Sequence, residues 1–124
     1  MRRAVLATLL SAIPLAAVPG QAVSLPSLDG TWSVLIVTES GQCDRAYRYP
    51  IRVERGALVY LGVTGVNFSG KLERDGKVRV TISRGRQSAT GTGQLSESGG
   101  SGTWSGQGTN VACHGRWEAE RRQG

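Results

Sequence analysis

The chain has 124 residues and a formal net charge of +6, from 15 Lys and Arg against 9 Asp and Glu, with two cysteines and one histidine. That length supports a single domain with a modest core. The basic residues are spread along the chain without a cluster interleaved with aromatics, which argues for solubility and weak attraction to anionic surfaces and against a nucleic-acid partner.

The N-terminus opens with Met1-Arg2-Arg3. An apolar run from Ala4 to Val18 follows, and then the small residues Gly20-Gln21-Ala22. This is the layout of a secretory signal peptide over residues 1–22, and its apolar run is short for a membrane span. Cleavage after Ala22 leaves residues 23–124 as a single β-barrel domain of 102 residues, with 13 basic against 9 acidic residues. The expected location is periplasmic or secreted, with no stable membrane insertion. An exported chain with two cysteines joins them, so a Cys43–Cys113 disulfide is expected.

Beyond residue 23 the dominant period is two. Tyr47, Tyr49, Ile51 and Val53 share one face, and Val78, Val80 and Ile82 share another. Such alternation marks strands with one buried and one wet face. Strands are predicted near 30–38, 45–54, 57–62, 65–74, 77–84, 87–95, 102–106 and 112–121. Asp75-Gly76 is a strong hairpin signal between the fourth and fifth. Residues 96–101 read as a mobile loop. Short connections and tight turns predict an all-β fold, a small antiparallel up-and-down eight-stranded β-barrel, with a two-sheet β-sandwich as the alternative. Ala89, Gly91 and Gly93 share a face, and small inward residues of this kind make room for large side chains from across a narrow, filled lumen.

The three tryptophans each follow a Gly-x pair: Gly30-Thr31-Trp32, Gly102-Thr103-Trp104 and Gly115-Arg116-Trp117. Trp32 is expected to plug one end of the barrel, with the tryptophans clustering where the first and last strands meet. Arg121 shares the face of Trp117. Closure is therefore assigned to Gly30, Trp32, Trp117 and Arg121. Gly-x-Trp on the first strand, with an arginine from the last strand covering it, resembles lipocalin and avidin-like barrels, which implies that architecture. Ser24-Leu25-Pro26-Ser27, Gly30-Thr31-Trp32 and Cys43-Asp44 resemble the bacterial periplasmic metalloprotease inhibitors. That likeness implies an N-terminal segment, Val23, Ser24, Leu25, Pro26 and Ser27, that enters a protease cleft. The chain also resembles small exported proteins of alphaproteobacteria that carry heme-utilisation or adhesion labels, which implies a surface or adhesion role.

The sequence offers few parts for catalysis. It contains no CxxC pair, no Gly-x-Ser-x-Gly elbow between strand and helix, and no phosphate or calcium loop. The lone His114 is predicted to face outward. Tyr47, Tyr49 and His114 are residue types that ligate heme iron. Tyr47 and Tyr49 fall near a barrel mouth, the usual place of a pocket, and with Trp104 they form the predicted ligand-binding set. The expectation is a monomeric, non-enzymatic binding protein without a cofactor or bound metal. Its partner is another exported protein such as a protease, or a small hydrophobic or ring-shaped ligand such as heme.

Overall fold

The computed structural model describes residues 27–122. The expected leader and residues 23–26 of the predicted partner-binding tail lie outside the described residues. Eight antiparallel strands follow one another: β1 (Gly30–Ser40), β2 (Ala46–Glu54), β3 (Ala57–Tyr60), β4 (Asn67–Leu72), β5 (Lys77–Arg84), β6 (Gln87–Leu95), β7 (Gly99–Gly108) and β8 (Val111–Arg122). Their order in the sheet is β3-β2-β1-β8-β7-β6-β5-β4. The first and last strands of the meander therefore pair, and the sheet rolls into a nearly closed up-and-down barrel rather than a sandwich.

Closure by backbone is incomplete. β3 and β4 end the sheet and face each other without a hydrogen-bonded ladder. Side chains bridge the seam instead. Tyr60 stacks on Phe68 with ring centroids 5.9 Å apart and planes at 20°. Below that pair Leu58 fills the space beside Gly70, where an added Cβ would lie 2.6 Å from Leu58 Cδ1. Both edge strands are shorter than predicted, ending at Tyr60 and spanning Asn67–Leu72. Short edges limit pairing with foreign strands.

One end of the barrel is shut. Gly30, at φ 139°, turns the incoming chain into β1 in a conformation that favours glycine. Trp32 and Val53, each 1% exposed, form the floor with Ile51, Val78, Leu95 and Ala119. The Trp32 indole donates from Nε1 to the Leu28 carbonyl at 2.9 Å. Arg121 lies 4.9 Å over the indole and donates to the Ser27 carbonyl at 2.9 Å. Of the residues assigned to closure, Gly30, Trp32 and Arg121 lie together at this end and Trp117 belongs to the same buried core cluster as Trp32, and the Arg121 Nε is buried without a partner among the described residues.

The other two tryptophans use the β7–β8 ladder. In its register Gly102 stands opposite Trp117, and Trp104 opposite Gly115. Trp117 lies across Gly102 on β7 and donates to the Thr92 carbonyl on β6 at 3.1 Å. Trp104 faces Gly115 on β8 and donates to the Val37 carbonyl on β1 at 3.0 Å. Each Gly-x-Trp therefore supplies the bare glycine over which the other one's indole passes. An added Cβ at Gly102 would lie 2.6 Å from Trp117 Nε1 and 2.7 Å from Gly93 Cα. Trp32 and Trp117 belong to one buried core cluster against which Trp104 packs, but no two indoles pair ring to ring. The aromatic pairs run through Tyr47, Tyr49, Tyr60 and Phe68 instead, because each indole is committed to its own carbonyl.

The glycine-rich stretch also departs from expectation. Residues 99–101, predicted as loop, belong to β7 and pair with Glu120, Ala119 and Glu118. β7 has a full-length neighbour on each side, so its backbone groups are satisfied even where it lacks side chains. The β4–β5 turn forms around Asp75-Gly76 as predicted, with Gly76 at φ 92° and Lys77 N–H donating to Asp75 Oδ1 at 3.0 Å.

Cys43 and Cys113 form the expected disulfide across a sequence separation of 70. It ties the segment between β1 and β2 to the start of β8, and such a bond belongs to an oxidising, extracytoplasmic compartment.

Two outcomes follow from this packing. Cys43→Ser with Cys113→Ser is expected to lower unfolding stability by about 4 kcal/mol in the chain-entropy account of a loop this long, read from urea unfolding. Gly102→Ala is expected to cost about 1–3 kcal/mol through overpacking. Combined with Trp117→Ala it should cost less than the sum of the two single changes in a double-mutant cycle.

Candidate functional site

Along the inward faces the residues change character from floor to rim. β2 presents Val53, Ile51, Tyr49 and Tyr47 in that order, and β5 presents Val78, Val80 and Ile82. Across from them β6 and β7 offer Ala89, Gly91, Gly106 and Gly108, beside Trp104 of β7 and Trp117 and Ala119 of β8. One wall is therefore aromatic and aliphatic, and the other combines bare glycine backbone with two indoles.

The result is an open cup of about 1080 Å³, just above the roughly 300–1,000 Å³ usual for ligand pockets. The expected filled lumen is thus found only at the Trp32 end. The reason lies in the tryptophans. Trp117 lies across Gly102 and Gly93 and Trp104 reaches over Gly106, so both indoles are part of the lining, while at Gly91 an added Cβ would meet nothing closer than 3.7 Å and the space stays open. From Val53 to Tyr47 is six residues of β2, roughly 20 Å at ~3.3 Å per residue.

The aromatic wall is continuous. Tyr47 and Tyr49 rings are 6.0 Å apart, Tyr49 and Tyr60 are 5.9 Å apart, and Tyr60 stacks on Phe68. These separations suit tilted and offset aromatic pairs. Tyr47, Tyr49 and Trp104, the predicted ligand-binding set, all line the cup. Tyr60 and Phe68 complete the wall. Tyr60 carries the same signal as Tyr49, since it shares the inward, period-two face of its strand with Leu58.

At the rim the lining becomes polar. Arg84 is the next inward position of β5 after Val78, Val80 and Ile82, and Arg86 follows on the adjoining turn. Gln42, Asp44, Gln107 and Thr109 complete the mouth, together with the exposed Val63 and Val111. The sequence reading ended the β5 alternation at Ile82 and so missed Arg84. Extending the period by one step finds it.

The phenols register this environment. Burial raises Tyr49 above its ordinary pKa of 10.0, with the Tyr60 phenol adding to the rise and the Arg84 guanidinium opposing it. Tyr47 is raised by burial and then by the Asp44 carboxylate. Both rings are thus held neutral, as donors. The stability this contributes is full below pH 10 and is lost as pH rises through the folded values.

His114 does not join the cup. It is exposed on the outer face of β8, as predicted, opposite Ser105 of β7, and no heme site combining it with Tyr47 and Tyr49 is assembled. Among the described residues, no group of three or more His, Cys, Asp or Glu is placed to hold a metal ion. Of the predicted partner-binding tail, Ser27 is described. It is exposed and tied to Arg121 at the closed end, remote from the mouth.

No protein-family model, curated protein or solved structure matches this chain.

Arg84→Gln removes the one influence that lowers Tyr49. The Tyr49 pKa is therefore expected to rise further while Tyr47 stays nearly unchanged. Ultraviolet titration of the native and variant proteins, with Tyr→Phe substitutions to assign each phenol, checks this.

Proposed function

We propose that this is an exported, non-enzymatic binding protein that holds a small apolar or ring-bearing ligand inside the barrel. The observation that carries this reading is the open cup of about 1080 Å³ with its continuous wall of Tyr47, Tyr49, Tyr60 and Phe68. Concave, mostly apolar sites with a few polar groups at one end are the usual form of small-molecule sites. An inhibitor that acts through its tail, or an adhesion module that acts through its exterior, needs no hollow interior, and the hollow is what favours a carrier.

The chemistry of such a role is burial. Each Å² of apolar ligand surface taken from water contributes about 25 cal/mol before the costs of association. Tilted aromatic rings give flat faces for an unsaturated or cyclic ligand. The disulfide and the leader expected over residues 1–22 agree with a periplasmic or secreted site of action.

Gly91 supplies the test. A Cβ built there meets nothing closer than 3.7 Å, so a larger side chain fits without backbone strain and projects into the cup. Nile red, a neutral apolar dye, is expected to bind the native protein with a blue-shifted emission. Gly91→Leu should weaken that binding at least tenfold while leaving the thermal transition within a few degrees. Equal dye binding by both proteins, or none by either, overturns the reading.

A further inference from the structure

The rim of the cup differs chemically from its walls, and this decides how a ligand lies in it. At the floor, Trp32 and Arg121 shut the exit, and Arg121 is already engaged by the indole and the Ser27 carbonyl. The walls above are apolar and aromatic. Charge appears only at the mouth, where Arg84 continues the inward face of β5 and Arg86 stands beside it, with Asp44 also on the rim.

Elsewhere some arginines are paired and others, Arg45, Arg55, Arg74 and Arg79, have no ion pair among the described residues, so what distinguishes Arg84 and Arg86 is their place on the lining of the cup. Arg48 faces Glu120 at 3.7 Å, Arg52 faces Glu54 at 3.6 Å, and Arg116 bonds Glu118 at 2.7 Å. Arg84 and Arg86 make no ion pair with any described residue. Two guanidinium groups without partners thus border an apolar cavity. The Tyr49 phenol, which senses the Arg84 guanidinium, stands just inside them as a further donor, whereas the Tyr47 phenol is engaged by Asp44.

From this arrangement we infer that the cup takes an amphiphile with an anionic head, its apolar part buried toward Trp32 and its head group held at the mouth by Arg84 and Arg86. This rests on the cavity reading above and adds the charge and orientation of the ligand. The opposite orientation fails, because it would bury the anion against Trp32, Val53 and Leu95, where the one unpartnered donor, Arg121 Nε, lies outside the lining of the cup. Guanidinium is suited to the task, since its planar fork matches a carboxylate or phosphate in two parallel hydrogen bonds.

Dodecanoate and dodecanol share one chain and differ in the head group. Calorimetric titration of the disulfide-bonded protein is expected to give at least tenfold tighter binding of dodecanoate than of dodecanol. Raising the salt should narrow that ratio, because exposed charges are screened. In the Arg84→Gln, Arg86→Gln variant the two ligands are expected to bind alike, with dodecanol affinity unchanged. Lysine at both positions should retain part of the preference. Equal affinities in the native protein overturn the assignment of the head group while the cavity reading stands. Binding of neither ligand overturns both. Should the glutamine variant fail to fold, the ratio in the native protein and its response to salt decide the matter alone. A preference for dodecanoate that the folded glutamine variant keeps assigns the head to other residues and also overturns the inference.

Discussion

The barrel depends on a tryptophan side chain lying flat over a glycine. In the β7–β8 ladder this happens twice and in opposite directions, because Gly102 faces Trp117 and Trp104 faces Gly115. An indole can cross a strand at close range only where that strand has no Cβ, and its N–H then meets a carbonyl one strand further on. Three strands are fastened at each crossing by a single side chain. The hydrogen bond matters as much as the packing, since a buried indole N–H without an acceptor costs about 1–3 kcal/mol. The repeated Gly-x-Trp is thus half of a reciprocal arrangement, and neither copy is complete without the other.

That constraint also explains why the interior is hollow. Large residues in a small barrel ordinarily fill it. Here two of the three largest lie along the wall, and the glycines that admit them leave the remaining space open. Trp32 is the one tryptophan whose cover is an arginine. The floor and the cup therefore arise from the same three-residue pattern used in two settings. In one it meets Arg121 of the last strand, and in the other it meets its own repeat.

The sequence shows much of this frame. Period-two runs such as Tyr47 to Val53 locate strands because alternating burial demands alternating polarity. Asp75-Gly76 locates a turn because its backbone needs a positive φ. Cys43 and Cys113 indicate their own partnership. The ends of β7, which runs Gly99–Gly108 where 102–106 was expected, were hidden for the converse reason: when the inward positions are glycine, alternation in hydropathy disappears although the strand is regular. The hollow was hidden as well, because the sequence records the volume of a tryptophan but not the direction of its ring. Arg84 sits where a strand becomes a turn, and there a polar residue reads as the end of a pattern when it is the pattern's last member.

The unladdered seam gives the barrel an adjustable girth. Elsewhere the circumference is fixed by rows of backbone hydrogen bonds, and widening it would break a whole row. Between β3 and β4 it is fixed by Tyr60 against Phe68 and by Leu58 beside Gly70. An aromatic contact of this kind is worth about 0.5–1.5 kcal/mol beyond the area it buries. A bulky occupant that presses on the aromatic wall therefore meets least resistance at that seam, and the sheet can uncurl slightly there with every backbone ladder intact. The fold is a rolled sleeve rather than a ring of unbroken ladders, and its seam rests on three side chains and a glycine.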